Sequence, residues 1–291
     1  MATSYRVVRV FNNNAVLARL DEDEMVLVGR GIGFGAQVGQ EIPAERAQQR
    51  FIADGSDKGR YLELINSISQ ETFDVISRGI DLAADLLGEL HPSIYLMLTD
   101  HLVFAVQRLD EGATIANPLL HEIRAVFPEE FGAAQLVLQY INNKLGIQLP
   151  DDEAAFIALH LKGARRGESV KAPLHRANSL AAIVELVERK LDSAVGNGEI
   201  HDELVVVLAK LQERIATQNF RRNSAERSIQ RDLSQETQLA TNIVRQLLGS
   251  NDVPRAAAGE VANLAIFLHG WRQDLDTQLS ADGSESKNRS R

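Results

Sequence analysis

The sequence predicts a multidomain protein: a small all-β module at the N-terminus, then two all-α helical bundles. Three observations predict it. Val- and Leu-rich runs at residues 5–11, 15–20 and 24–28 are separated by Asn12-Asn13-Asn14 and Asp21-Glu22-Asp23, the pattern of short strands joined by turns. From Tyr61 onward that pattern stops, and apolar residues recur at helical spacing almost to the C-terminus. The helical part also repeats itself. Residues 208–214 can be laid on 102–108, Leu248-Gly249 on Leu145-Gly146, and Ala265-Ile266-Phe267-Leu268-His269 on Phe156-Ile157-Ala158-Leu159-His160, the mark of a duplicated module.

The 291 residues suffice for two or three domains, each with its own core. The chain has no cysteine, which excludes a disulfide scaffold, a thiolate metal site and a cysteine nucleophile and fits a reducing compartment. No apolar run approaches the roughly 20 residues of a spanning helix, and residues 1–9 lack the apolar core of a signal peptide. The expected location is the cytoplasm, with no membrane insertion. A net charge of −9 argues against wrapping bulk nucleic acid by charge alone, so any nucleic-acid contact must be local.

The three strands read as a β-meander. After them comes Gly29-Arg30-Gly31-Ile32-Gly33-Phe34-Gly35, then Gly39, too glycine-dense for a helix and suited to sharp bends or close approach of another backbone. A dinucleotide fingerprint is unsupported, because the glycines alternate and no β-α-β unit follows. Up to Asp57 there are six arginines, no lysine and eight carboxylates, four of them at Asp21 to Glu24, which leaves the rest of the module mildly basic. At about 55 residues such a module buries too little surface to be secure alone, and it is expected to dimerise.

In the helical part, Ser93 is placed to cap the helix carrying His101. Pro118 and Pro128 sit where helices begin, Gly146 closes one helix, and Pro150-Asp151-Asp152-Glu153 opens the next with acids where the helix dipole favours them. Residues 162–173 read as a basic linker, with helical periodicity resuming at Leu180. The tail after Ala281 is polar and reads as disordered.

Three histidines fall on apolar helix faces. His101 shares a stripe with Ile94, Met97, Leu98, Ala105 and Arg108, and His160 shares one with Phe156 and Ile157. His269 is matched to His160 through the repeat. Asp100 points about 100° away from His101 around the helix, whereas Arg108 lies two turns along the same stripe. One reading is structural histidines in two helical bundles. A second, prompted by His201-Asp202, is a helical HD-type metal-dependent phosphohydrolase, although Asp202 more simply serves as an N-cap after Gly196-Asn197-Gly198. A third is that the imidazoles accept a phosphoryl group.

The third reading is joined by a resemblance. Leu98-Thr99-Asp100-His101 through Gln107-Arg108, then Asn117-Pro118-Leu119-Leu120, Phe127-Pro128-Glu129-Glu130-Phe131 and Leu149-Pro150-Asp151-Asp152-Glu153 through His160 resemble a phosphotransferase-system regulation domain, or PRD. Asn12-Asn13-Asn14 with the Gly29–Phe34 segment resembles the co-antiterminator (CAT) RNA-binding domain of the BglG/LicT/SacY antiterminators. The resemblance spans residues 5 to about 275 with the modules in that family's order. It implies a CAT domain over 1–58, a first PRD over 59–168 and a second over 174–281, with 282–291 as the tail.

The resemblance further implies a homodimeric transcriptional antiterminator that binds a hairpin in the leader mRNA of a sugar-utilisation transcript and keeps a terminator from forming. Asparagine amides, the Arg30 fork and the Phe34 ring suit unstacked bases in such RNA; Asn12, Asn13, Asn14, Gly29, Arg30 and Phe34 are the expected contacts. The alternatives are a plain turn for the asparagines and a core or dimer-interface ring for Phe34. By the same resemblance a sugar-specific permease component of the phosphotransferase system inactivates the protein through His101 and His160, and the carrier HPr acts on the second PRD through His269, with Asp100 and Arg108 supporting the switch. Val207 stands where the first PRD has His101, so one acceptor is missing. By the same resemblance the chain is expected to receive phosphate and not to be an enzyme, and to need no cofactor and no metal. His91, His121, His175 and His201 match no motif and read as structural or surface residues.

Overall fold

The Val- and Leu-rich runs form β1 (Ser4–Asn12), β2 (Ala15–Leu20) and β3 (Asp23–Val28) of an antiparallel sheet. Its full order is β4-β1-β2-β3-β5, the outer strands being β4 (Glu41–Pro43) and β5 (Gln49–Ile52). The computed structural model describes residues 4–12, 15–21, 23–29, 31–47, 49–52, 69–91, 93–191 and 199–288. Alternation puts Tyr5, Val7, Val16, Ala18, Met25 and Leu27 into one core with Ile32 and Ile42. The two outer strands were not expected from the sequence, because three or four residues are too few to show a period. They form through pairing, Tyr5 opposite Ile42 and Val26 opposite Phe51.

The glycine-rich segment makes three consecutive turns, with Ile32 N–H donating to Gly29, Phe34 to Gly31 and Ala36 to Gly33. Gly31 and Gly35 adopt φ of 66° and 67°, which L side chains rarely take. The turns bury Ile32 completely and leave Phe34 75% exposed.

The chain divides into two compact units, Met1–Leu174 and His175–Arg291. The helices of the first are α1 (Gln70–Leu87), α2 (Ile94–Asp110), α3 (Leu120–Val126), α4 (Pro128–Leu145) and α5 (Asp152–Arg166). Ser69 caps α1 by accepting from Thr72 N–H, Pro128 opens α4, and Gly146 ends it in the left-handed region. α6 (Lys171–Lys190) spans the division, and the second unit continues with α7 (Glu199–Ala216), α8 (Glu226–Asp232), α9 (Ser234–Leu248) and α10 (Ala258–Asn288).

Four local expectations differ from the structure. Ser93 does not cap α2; its own backbone is helical, and its hydroxyl pairs with His91 Nδ1 at 2.8 Å. The basic stretch is largely helical, because Arg165 and Arg166 suit the last turn of α5 and Gly167 ends it, leaving residues 167–170 before α6. Asp202 lies inside the first turn of α7 and not at its cap. The last helix continues to Asn288, through most of the tail read as disordered, a helix once started needing only one further residue fixed per hydrogen bond.

Candidate functional site: a histidine pair on facing helices

Packing of α2 against α5 brings His101 and His160 together, their ring centroids 5.3 Å apart. Phe156, one turn before His160, lies 5.5 Å from the His101 ring. The residue that organises the pair is Glu153, at the start of α5. Its carboxylate takes His101 Nε2 at 2.8 Å on one oxygen and Arg108 Nη2 at 3.1 Å on the other, with its side chain only 3% exposed. Sequence reading gave Glu153 a place at the helix start and in the PRD-like string but no part in the histidine site. The available signal was its place seven residues before His160, on the same helix face.

Burial opposes ionisation of Glu153, but the hydrogen bonds and charges of His101 and Arg108 outweigh it and hold its pKa below the ordinary value. An ionised Glu153 can only accept, so Nε2 of His101 carries the proton it shares. In the neutral ring Nδ1 then keeps its lone pair. His160 is driven the other way: burial first, then the neighbouring His101 charge, push its pKa down to about 3, so its ring is neutral at pH 7. Two imidazoles, a carboxylate and a guanidinium thus form a site able to present a neutral nitrogen nucleophile beside a cation that suits a phosphate. His101 keeps 18% of its side chain exposed. Asp100 makes no hydrogen bond or ion pair with His101 among the described residues, whereas Arg108 shares the Glu153 carboxylate with it.

The second unit rebuilds this framework without the histidines. Arg214 sits on α7 where Arg108 sits on α2, and it holds Glu260 through two 2.9 Å bonds. Glu236 opens α9 as Glu130 opens α4; Glu130 takes Lys162 at 3.0 Å, and Glu236 takes His269 at 3.1 Å. Lys162 follows Glu153 by nine residues, as His269 follows Glu260. His269 is therefore the counterpart of Lys162, and the counterpart of His160 is Phe267. This corrects the expected match of His269 to His160. That match followed the strings Ala265–His269 and Phe156–His160, which are similar but displaced by two residues from the packed register. The second unit has apolar residues, Val207 and Phe267, at the positions of His101 and His160.

In the β-module Asn13, Asn14 and Arg30 lie outside the described residues, and of Asn12 only the backbone, opposite Ala15, is described. Gly29 is buried and Phe34 projects to solvent, so Phe34 is not a core ring. The hydrolase reading finds no framework: His201 is buried with Nδ1 3.2 Å from Glu188, and among the described residues no three His, Asp or Glu side chains are grouped as metal ligands.

Comparison with known proteins gives the same two modules. Residues 5–59 match the CAT RNA binding domain and residues 80–164 the PRD domain. The chain is 33% identical over 186 residues to the transcription antiterminator LicT of Bacillus subtilis (strain 168), covering 63% of this chain and 67% of that protein. It is 32% identical over 191 residues to the beta-glucoside operon antiterminator of Dickeya chrysanthemi, covering 64% and 67%. A crystal structure of GlcT CAT-PRDI is 34% identical and covers 55% of this chain and 98% of that one, with a TM-score of 0.42.

Proposed function

The chain belongs to the BglG/LicT family of transcription antiterminators, and we propose that it binds a leader-mRNA hairpin as a dimer and is switched by phosphorylation of His101 and His160. The supporting observation is the bridge from His101 through Glu153 to Arg108 beside a neutral His160. Phosphoryl transfer forms an N–P bond on an imidazole as the donor's bond to phosphorus breaks and the donor leaves with the electron pair. The new group brings roughly −1.5 to −2 charges against an ionised Glu153. Repulsion separates His101 from Glu153, and Arg108 exchanges the carboxylate for the phosphate. A sugar-specific permease component and HPr are the donors in this reading, the second unit is a second PRD, the protein acts in the cytoplasm, and it is not an enzyme.

The test uses the full chain with its own upstream leader RNA, before and after incubation with the permease component and HPr. Phosphorylation should weaken hairpin binding and lower antitermination in a reporter, and Asp at position 101 or 160 should do the same. Phe34→Ala should weaken binding of the unphosphorylated protein by about 1–3 kcal/mol if the exposed ring stacks on a base. Equal affinity for the hairpin and a scrambled RNA would refute the RNA reading, whereas full activity in both Asp variants would refute only the switch.

A further inference from the structure

The turn segment of the β-module alternates glycine from Gly29 to Gly35, and each glycine leaves the backbone free to take either sign of φ. Such a loop holds one conformation only if it is tied down from outside. Ile32 ties it on the inner side, completely buried in the sheet core. On the outer side the tie is Arg46. The short 3-10 turn Ala44–Arg46 follows β4 directly, and Ala47 N–H closes it on the Ala44 carbonyl at 3.2 Å. Ala44 and Ala47 pack against the same core as Ile32, so the backbone on both sides of Arg46 is fixed while Arg46 itself is exposed. From there its Nη2 donates to the Gly31 carbonyl at 2.9 Å.

The Gly31 carbonyl also accepts Phe34 N–H, at a longer 3.2 Å. Arg46 and the Phe34 backbone thus meet on one oxygen. The guanidinium bond is the stronger of the two because its donor is charged, and it holds the carbonyl of a residue in the left-handed region, φ 66°, at the turn that delivers Phe34. With its ring 75% exposed, Phe34 is placed mainly through its backbone. On the RNA reading above, we infer that Arg46 is a positioning residue for RNA binding. By fixing the Gly31 carbonyl it holds Phe34 where the ring can stack on an unpaired base, so that binding need not first order a glycine-rich loop.

Equilibrium binding of the full-length protein to its own upstream leader hairpin, over a series of salt concentrations and with a scrambled RNA as control, tests this role. Arg46→Ala should weaken hairpin binding about fivefold and leave the slope of log affinity against log salt as in wild type, because no phosphate contact is lost. Arg46→Lys, which keeps one charged donor, should recover most of that loss. In a Phe34→Ala background Arg46→Ala should cost less than about twofold, since the ring it positions is already gone. Wild-type affinity in Arg46→Ala, an undiminished cost in the Phe34→Ala background, or a salt slope smaller by about one phosphate contact would each overturn the positioning role while leaving RNA binding intact. A wild type that binds the hairpin no better than the scrambled RNA would refute the RNA reading and this role with it.

Discussion

Glu153 joins two residues of α2, one turn pair apart, to the start of α5, and each side of that bridge has a different consequence. His101 and Arg108 were legible in the sequence because they share a stripe at spacing seven within one helix. Glu153 was not, because its partners lie 52 and 45 residues away and only the packing of α2 on α5 brings them together. His160 carries the pH dependence. Its folded pKa of about 3 lies below the ordinary 6.5, so the unfolded chain binds its proton first as pH falls. The stabilisation from a neutral His160 is therefore full above about pH 6.5 and is lost progressively toward pH 3, by about 1.4 kcal/mol per unit. Glu153, whose pKa is lowered from 4.5, adds its own loss only below that value. Urea unfolding of wild type and His160→Phe between pH 7 and 5 should show the steeper decline in wild type; parallel curves would show that His160 is not buried neutral.

At the scale of elements, the strands and most helices followed from periodicity, and the misreadings lay at their ends. Ser93 stood at the right place for a cap, yet a neighbouring histidine competes for its hydroxyl. The second-repeat register was misplaced for a related reason: α9 has 15 residues where α4 has 18, and a short string match cannot detect the compensating turn at Arg255–Ala257 before α10. Glu260 and Gly259 mark that start. A Cβ on Gly259 would lie 2.3 Å from the Arg221 carbonyl oxygen, because this loop is drawn in by Arg221 N–H donating to Glu260 at 2.6 Å. Gly259→Ala should destabilise the second unit by about 1–3 kcal/mol despite alanine's better helix propensity. A denaturation midpoint at or above that of wild type would show that the loop yields freely.

Over the whole molecule, module order and family were readable because two independent motif sets occur in sequence, while the residues that stand in equivalent places of the two repeats required the packed register. The first repeat has Arg108 and His101 sharing Glu153. The second has the Arg214 guanidinium and the Arg221 N–H on a fully buried Glu260, with Val207 and Phe267 at the positions of His101 and His160. Removing Arg214 takes the ion pair from a buried carboxylate and leaves it the Arg221 N–H, a loss on the order of 3–5 kcal/mol; removing Arg108 leaves Glu153 its histidine and should cost less. On the proposed switch, the same asymmetry should govern phosphate. Val207 and Phe267 offer no nucleophile, and His269 is held by Glu236 on one nitrogen and Gln273 on the other, in the place of a lysine. Incubation with the phosphotransferase donors followed by peptide mapping under conditions that preserve phosphohistidine should therefore place all phosphate on peptides containing His101 or His160. The double variant Val207→His/Phe267→His restores an imidazole pair beside Arg214 and Glu260, and it should add phosphate to the second repeat. Phosphate on His269 in wild type would show that a histidine outside the Arg–Glu framework accepts, and would return the second repeat to the control of the protein.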